Sequence, residues 1–207
     1  MPAESLVHVI DDDEAVRDSL EFLFDSSGLP VRTYESAVSF LAAMAPDLAG
    51  CIVTDIRMPE MGGLELLREL RGRGVQVPVI VITGHGDVPL AVEAMKGGAA
   101  DFLEKPFDDE RLLAVVRRSL EEADSPSAPP PGSEQAEIRA RIATLSQRER
   151  QVLRRLVDGQ LNKTIAWDLG ISARTVEVYR AKLMSKMDAQ AFADLVRMAL
   201  QAGPLED

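Results

Sequence analysis

The sequence contains little cysteine and no long apolar run. Cys51 is the only cysteine among 207 residues, so an intramolecular disulfide cannot form and a zinc site lacks its usual thiolate ligands. No segment reaches the roughly 18 consecutive apolar residues that suggest a membrane-spanning helix. The first residues also lack the basic and apolar segments of a secretory signal. We therefore expect a soluble protein of the reducing cytoplasm.

Positive charge is scarce in the first part of the chain and concentrated further on. Residues 1–121 hold 22 acidic and 11 basic residues, whereas residues 122–207 hold 12 of each. Within the latter, residues 143–187 carry nine Lys or Arg against four Asp or Glu. An acidic part followed by a locally basic one predicts two domains with different partners.

The first part alternates short apolar runs with segments of helical periodicity. The predicted strands are residues 6–10, 31–34, 51–54, 79–83 and 101–103, and the predicted helices are residues 14–27, 37–45, 64–71, 88–96 and 109–121. This alternation predicts an α/β fold with a doubly wound, five-stranded parallel sheet. Such sheets bind ligands at the carboxyl ends of their strands.

Four prolines fall within residues 125–133 and predict a semi-extended spacer. We place the first domain at residues 4–121, a Pro-rich and helical linker at residues 122–142, and the second domain at residues 143–207. Residues 134–143 are predicted to be helical, and they could either extend the linker or lead into the second domain.

The second domain is predicted to be small and all-helical. Ser146 and Glu149 have the spacing of a capping box at the start of a helix. A short helix from Thr164 then reaches Gly170, and Ser172 caps the next helix. Helix, glycine turn and helix are typical of a helix-turn-helix motif.

Polar residues occur where the predicted strands of the first domain end. These are Asp11, Asp12, Asp55, Thr83 and Lys105. One aspartate after a strand is commonly only a helix cap, but five suitable residues at the ends of four strands favour a site. Carboxylates that meet there repel each other, and a hard cation such as Mg²⁺ relieves that repulsion. The same cation can neutralise charge during phosphoryl transfer.

Four motifs of the first domain resemble the receiver domain of bacterial two-component response regulators. They are residues 9–14 (VIDDDE), 54–59 (TDIRMP) with the glycines at 62 and 63, 81–84 (VITG) and 102–107 (FLEKPF). The resemblance implies a flavodoxin- or CheY-like fold and a sensor histidine kinase as phosphoryl donor. It also implies a cis bond between Lys105 and Pro106, a conformation that proline makes accessible.

The resemblance assigns roles in the site. Asp55 would be the phosphoacceptor, and Mg²⁺ would be held by Asp11, Asp12, Asp55 and the backbone carbonyl of Arg57. The switch and phosphoryl contacts would be Thr83, Phe102 and Lys105. Phosphorylation would then produce a homodimer through the fourth helix and fifth strand. The receiver would catalyse only its own phosphorylation and hydrolysis, so we do not expect an enzyme.

Three motifs of the second domain resemble the LuxR/FixJ type of helix-turn-helix. They are residues 145–153 (LSQRERQVL), 162–170 (NKTIAWDLG) and 172–183 (SARTVEVYRAKL). The whole chain is thus similar to the FixJ family of response regulators. That family implies promoter DNA and RNA polymerase as partners, with activation of transcription.

The residues themselves suggest how DNA would be bound. Asn162 and Lys163 open a helix whose free N–H groups suit a phosphate. Basic residues on or near the next helix could contact phosphates or guanine; they are Arg174, Arg180, Lys182 and Lys186. The family's docking would add Thr175, Glu177, Val178 and Ala181. Trp167 is expected to be a packing residue rather than a base-stacking one.

A second class of function stays open at this point. The chain could act as a protein-interaction module or phosphate sink whose helical domain is a docking surface. The basic set near the recognition helix favours DNA binding instead. The second domain contains no histidine or cysteine and no carboxylate cluster, which argues against a separate enzyme.

Overall fold

A computed structural model describes residues 6–84, 88–124 and 133–203. The chain divides into two compact units, one comprising residues 1–86 and 97–126 and the other residues 87–96 and 127–207. Among the described residues, no helix is both long and apolar enough to cross a bilayer.

Strands and helices alternate through the first 124 residues. The strands are β1 (Val7–Ile10), β2 (Val31–Tyr34), β3 (Cys51–Asp55), β4 (Val79–Thr83) and β5 (Asp101–Glu104). The helices are α1 (Glu14–Ser26), α2 (Ala37–Ala43), α3 (Gly63–Gly72), α4 (Val88–Lys96) and α5 (Asp109–Asp124). All ten elements were predicted, with ends that differ by a few residues.

The strands form one sheet in the order β2-β1-β3-β4-β5, and all neighbours are parallel. Every residue of β1, β3 and β4 is buried, as expected for a sheet covered by helices on both faces. The register pairs Ile10 with Thr54, so Asp11 and Asp55 emerge side by side from adjacent strands. The predicted doubly wound α/β fold is confirmed.

The core on one face of the sheet is built from alternate strand residues. Val7 and Val9 of β1 lie in the same cluster as Phe24 of α1 and Leu112 and Val116 of α5. All five are fully buried. Burying each such side chain stabilises the fold by roughly 1.5–3 kcal/mol, which fixes the strand ends in place.

The second part of the chain contains helices α6 (Ser133–Ala143), α7 (Gln147–Val157), α8 (Asn162–Leu169), α9 (Ala173–Met187) and α10 (Phe192–Ala202). The predicted capping box at the start of α7 is present, since the amide of Ser146 donates to Glu149 Oε2 at 2.7 Å and the amide of Glu149 donates to Ser146 Oγ at 3.3 Å. Ile165, Val176 and Leu183 are fully buried, as predicted.

Helix α6 packs with the second unit. Ile138 is 4 % exposed, and Gln135 Nε2 donates to the carbonyl of Gln201 at 2.7 Å. Arg141 donates to the carbonyl of Met187 at 2.7 Å and so satisfies a carbonyl in the last turn of α9. Of the two alternatives left open for residues 134–143, the packing supports the second. The prolines of the predicted spacer lie outside the described residues.

The turn between α8 and α9 depends on a glycine. Gly170 ends α8 in the left-handed region, with φ 62° and ψ 37°, which favours a residue without a Cβ. Ser172 then caps α9 by accepting a hydrogen bond from the amide of Thr175 at 3.1 Å. Helix α8 begins at Asn162, two residues earlier than predicted, so Asn162 and Lys163 lie in its first turn.

Candidate functional site

The carboxyl ends of three central strands bring the predicted pocket residues together. Asp11 directly follows β1, Asp55 ends β3 and Thr83 ends β4. Asp11 is 2 % exposed, Asp55 is 8 % exposed and Thr83 is 1 % exposed. Two buried carboxylates at one edge of a sheet require a compensating positive charge.

Lys105 supplies that charge from the loop after β5. Its Nζ donates to Asp11 Oδ2 at 2.8 Å and to Asp55 Oδ1 at 2.9 Å. The ammonium therefore bridges both carboxylates, as the sequence motif implied. The bond between Lys105 and Pro106 is cis, which confirms that prediction.

Burial and pairing oppose each other in this cluster. Burial raises the pKa of the Asp11 carboxyl above its usual range, although the ammonium of Lys105 acts in the lowering direction. Burial lowers the pKa of Lys105, but its hydrogen bonds to Asp11 and Asp55 outweigh that effect and leave the pKa raised. The pocket thus holds one firmly bound ammonium between two carboxylates, and the more buried of these is harder to ionise.

Backbone amides fix the orientation of both carboxylates. The amide of Arg57 donates to Asp55 Oδ2 at 2.6 Å, and the amide of Asp13 donates to Asp11 Oδ1 at 3.0 Å. With Lys105 on the other oxygens, each carboxylate is held from two sides. Such fixed geometry suits a group that must present one oxygen to a reaction partner.

Two glycines allow the loop after β3 to approach the pocket closely. A Cβ at Gly63 would lie 2.3 Å from the carbonyl oxygen of Asp55, and one at Gly62 would lie 2.5 Å from that of Ile56. Neither distance is compatible with a side chain. The amide of Gly63 also donates to the carbonyl of Ile56 at 3.0 Å, which ties the start of α3 to the end of β3.

The two predicted switch residues lie on neighbouring strands. Thr83 ends β4, and its carbonyl accepts from the amide of Lys105 at 2.7 Å. Phe102 of β5 pairs with Val81 and is 8 % exposed, so its ring is buried. Thr83 and Lys105 are thus connected through the backbone.

The donor set of the pocket fits Mg²⁺ in its chemistry. Mg²⁺ is usually held by one or two carboxylates and several waters, and Asp11 and Asp55 share a single ammonium here. Asp12 is exposed beside them. Among the residues that the structure describes, no three His, Cys, Asp or Glu side chains converge as a ready ligand set. A cation would therefore complete the pocket together with water and backbone oxygen.

The second candidate site is one face of α9. Five of its predicted DNA-contacting residues are exposed at helical spacing; they are Arg174, Glu177, Val178, Ala181 and Lys182. The opposite face, with Val176, Leu183 and Met187, is buried. Exposed residues at positions i, i+3, i+4, i+7 and i+8 form a continuous stripe. Such a stripe on the second helix of a helix-turn-helix can enter a major groove.

Comparison with known families identifies both units. Residues 7–117 match the response regulator receiver domain, and residues 143–199 match the bacterial regulatory proteins of the luxR family. A transcriptional regulatory protein FixJ from Azorhizobium caulinodans is 62 % identical over 100 % of this chain and 98 % of the relative. The chain belongs to the FixJ family of response regulators.

Further FixJ proteins support this membership. FixJ from Rhizobium meliloti is 53 % identical, with 95 % of this chain and 96 % of the relative covered. The crystal structure of full-length FixJ from B. japonicum is 49 % identical and matches with a TM-score of 0.55, covering 97 % of this chain and 98 % of that one.

Membership in the FixJ family establishes the general function. The chain is a response regulator whose LuxR-type domain binds DNA, and its FixJ relatives are transcriptional regulators. A receiver domain implies a histidine kinase as partner, and receivers of this kind bind Mg²⁺ at the acidic pocket.

Two predicted DNA contacts of this FixJ family member instead face its own domain. The Nζ of Lys186 donates to Glu149 Oε2 of α7 at 2.7 Å. The guanidinium of Arg180 lies 4.8 Å from the ring centre of Phe192 and donates to Asn162 Oδ1 at 3.5 Å. Burial lowers the pKa of Arg180. The structure therefore separates these two from the exposed stripe on α9.

Trp167 was expected to be a packing residue, and this expectation is wrong. Its side chain is 87 % exposed on α8. The buried residues Ile165 and Ala166 take the inward positions of the helix. Trp167 follows Ile165 by two residues and therefore points to roughly the opposite side, since each helical residue turns about 100°.

Two contacts near these sites were not identified from the sequence. Arg17 of α1 donates from Nη1 to the carbonyl of Asp11 at 2.8 Å and so supports the pocket. Glu149 is 4 % exposed and binds Lys186, which lies 37 positions further on. The position of Arg17 four residues after the cap Asp13 was a weak local signal. The partner of Glu149 had none.

Proposed function

We propose that Asp55 of this response regulator accepts a phosphoryl group from a sensor histidine kinase. The observation that carries the proposal is the carboxylate of Asp55, held between Lys105 and the amide of Arg57 at the sheet edge. One oxygen of Asp55 attacks the phosphorus of a phosphohistidine. The P–N bond breaks, the imidazole leaves, and an aspartyl phosphate forms. The receiver also hydrolyses this aspartyl phosphate itself.

The residues that would hold Mg²⁺ are Asp11, Asp12, Asp55 and the backbone carbonyl of Arg57. When bound, the cation neutralises the charge that gathers on the phosphoryl oxygens. Lys105 holds the carboxylates before transfer and donates to a phosphoryl oxygen after it, because its ammonium already reaches Asp55 Oδ1 at 2.9 Å. This places a fixed positive charge on the side of the acceptor.

Thr83 and Phe102 form the switch in this proposal. The hydroxyl of Thr83 moves to the new phosphoryl group and donates to it, and the ring of Phe102 occupies the space behind Thr83. Phosphorylation adds negative charge and strong acceptor oxygens, which favours one of two preexisting states. The buried position of Phe102 at 8 % exposure supports this coupling.

The switched receiver forms a homodimer through α4 and β5, and the dimer binds promoter DNA at two half-sites. A single helix-turn-helix domain buries limited surface, so two domains bind far more tightly than one. The exposed stripe of α9 enters the major groove, together with Thr175 at its start. Asn162 and Lys163 contact phosphate from the N-terminus of α8. Bound there, the protein activates transcription by recruiting RNA polymerase.

The stripe also suggests which base is read. Glu177 can accept from the N4 amino group of cytosine, and Arg174 can donate to guanine. Lys182 lies one turn beyond Val178 and suits a phosphate. Arg180 and Lys186, which bind Phe192 and Glu149, support α9 from behind in this proposal.

The experiment measures DNA binding and molecular mass before and after treatment with acetyl phosphate and Mg²⁺. It compares wild type with Asp55→Ala, and with Asp47→Ala as a control at an exposed carboxylate outside the pocket. Random duplexes enriched by selection provide the DNA. We expect dimerisation and tighter, sequence-selective binding in wild type and Asp47→Ala only.

Other results would contradict the proposal. Equal DNA binding in all samples would show that phosphorylation does not control the second unit. No DNA binding in any sample would favour the alternative function, a phosphate sink or docking module that acts through protein contacts.

A further inference from the structure

Trp167 is the most exposed large apolar side chain among the described residues. It is the only tryptophan of the protein, and 87 % of its surface is accessible. Tryptophan usually buries most of its large apolar surface, so an exposed indole marks a surface that another molecule covers. Tryptophan is also enriched among the residues that dominate binding energy in protein interfaces.

The outer face of α8 surrounds the indole with apolar and basic groups. Lys163 lies one helical turn before Trp167 and is exposed, and Leu161 just before the helix is 50 % exposed. The adjacent carboxylate of Asp168 lies 3.7 Å from the guanidinium of Arg155, so its charge is compensated. The face therefore complements an apolar pocket with an acidic rim.

This composition favours a protein over DNA as the molecule that covers Trp167. Contacts to the DNA backbone come mainly from basic and polar side chains and from amides. An indole offers one N–H donor and a large apolar surface, and it gains little from phosphates. A protein pocket buries the whole ring.

The face is continuous with the proposed DNA interface. Asn162 and Lys163 open α8 at the DNA backbone, and Trp167 lies about 6 Å further along the same helix axis. A large protein bound beside this domain on the same duplex would reach the indole without displacing the domain from DNA. RNA polymerase is the protein that the proposed activation brings to that position.

We propose that Trp167 anchors RNA polymerase to the DNA-bound domain by inserting its indole into an apolar, acid-rimmed pocket of the polymerase. This inference rests on the proposed activation of transcription. DNA binding and activation then reside on different residues of one helix-turn-helix: the stripe of α9 reads DNA, and the outer face of α8 contacts polymerase.

The first test separates DNA binding from activation. Trp167→Ala, Trp167→Phe and wild type are phosphorylated and compared for affinity to a labelled promoter duplex and for transcription by purified RNA polymerase. We expect Trp167→Ala to bind DNA within about twofold of wild type but to lose about tenfold or more of the activated transcript, as at a binding hot spot. Trp167→Phe keeps an aromatic ring and retains part of the activation.

Leu200→Ala provides the matched control, because Leu200 is another exposed apolar residue of the same domain, at 37 % exposure on α10. It should change neither measurement. A Trp167→Ala protein that keeps its melting temperature but loses DNA affinity would contradict the proposal, as would one with unchanged transcription. Wild type that binds DNA but fails to activate would overturn the proposed activation first, and the anchor with it.

The single tryptophan permits a second, independent test. Acrylamide quenching of its fluorescence measures how accessible the indole is in wild type. We expect the same quenching with and without a saturating promoter duplex, because the proposed DNA contacts lie on other residues. Protection of the indole by the duplex alone would show that DNA covers Trp167 and would overturn the proposal.

Discussion

The acidic pocket and the exposed stripe of α9 hold their charges in opposite ways. In the pocket, Asp11 and Asp55 are buried and share the ammonium of Lys105. On α9, Arg174 and Lys182 are exposed to solvent. A small phosphoryl group must be placed to within fractions of an ångström, which requires fixed ligands. DNA is recognised over a wide surface, so its contacts can remain solvated until binding.

This difference determines what each site tolerates. Substitutions in the pocket remove partners from buried charges and therefore change stability together with chemistry. Substitutions on the stripe remove contacts that exist only in the complex, and they leave the free domain intact. The predictions below test this distinction, in order of decreasing effect.

The largest effect is expected where the backbone itself shapes the pocket. Gly63→Ala places a Cβ 2.3 Å from the carbonyl oxygen of Asp55, so β3 or α3 must shift. We expect a loss of about 3 kcal/mol in the free energy of unfolding, the upper range for overpacking, and a loss of phosphorylation. Urea unfolding and labelling by radioactive acetyl phosphate measure the two effects.

Gly72→Ala is the matched control for that substitution. Gly72 ends the same helix, and no other group lies within 4 Å of its Cβ position. Alanine there should leave phosphorylation unchanged and alter the free energy of unfolding by less than about 1 kcal/mol, in the stabilising direction. Equal losses for the two variants would show that the close approach at Gly63 is not important.

Removing the bridging ammonium is expected to have the next largest effect. Lys105→Met leaves the carboxylates of Asp11 and Asp55 facing each other without compensation. We expect a loss of about 2 kcal/mol, below the range for fully buried pairs because Lys105 retains 25 % of its side-chain exposure. Mg²⁺ should raise the melting temperature of this variant more than that of wild type, since two unpaired carboxylates bind a cation more tightly.

Thermal unfolding with and without Mg²⁺ checks this expectation. Lys96→Met provides a control, because Lys96 is an exposed lysine in the last turn of α4. An equal Mg²⁺ effect in wild type and Lys105→Met would place the cation away from Asp11 and Asp55.

The sequence predicted the pocket better than the second domain, and the reason is physical. Buried parallel strands are short apolar runs, and residues that follow them must meet at one sheet edge. Asp11, Asp55 and Lys105 could therefore be placed together without a structure. The orientation of a side chain on a short amphipathic helix is harder to infer. Trp167 was assigned to the core although its two-residue offset from Ile165 indicated the opposite face.

Pairing across long sequence distances could not be predicted at all. Lys186 and Arg180 were grouped with the DNA contacts because they are basic and lie near the recognition helix. Their partners, Glu149 and Phe192, come from other helices, and only packing brings them together. A charge pattern along one helix shows which residues are basic, but it does not show which of them are already paired.

The ion pair between Glu149 and Lys186 gives a pH-dependent prediction. Burial opposes ionisation of Glu149, but its hydrogen bonds to Lys186 and Ser146 outweigh burial, so its pKa lies below the usual value of 4.5. Because the folded-state pKa is lowered, the stabilisation is complete above pH 4.5 and is lost as pH falls through the folded-state pKa. Glu149→Gln should lack this dependence.

The pair should contribute about 1–2 kcal/mol near neutral pH, reduced by solvent at the half-exposed Lys186. Urea unfolding of wild type and Glu149→Gln across this pH range measures it. The difference between the two proteins should shrink as the solution becomes more acidic. A difference that stays constant with pH would mean that Glu149 stabilises the domain by packing alone.

The smallest effect on folding, and a clear effect on DNA binding, is expected on the stripe of α9. Lys182→Ala should leave the free energy of unfolding within about 0.5 kcal/mol of wild type, as for most surface substitutions. It should weaken binding to all duplexes about equally and reduce the slope of log affinity against log salt by about one, as expected for one lost phosphate contact. Arg180→Ala, two residues away, should instead destabilise the domain, because it loses the contact with Phe192 at 4.8 Å. Fluorescence anisotropy at several salt concentrations and urea unfolding distinguish the two variants. If Arg180→Ala reduced the salt slope without loss of stability, Arg180 would belong to the DNA-facing stripe, and the separation of α9 into an exposed reading face and a supporting face would be wrong.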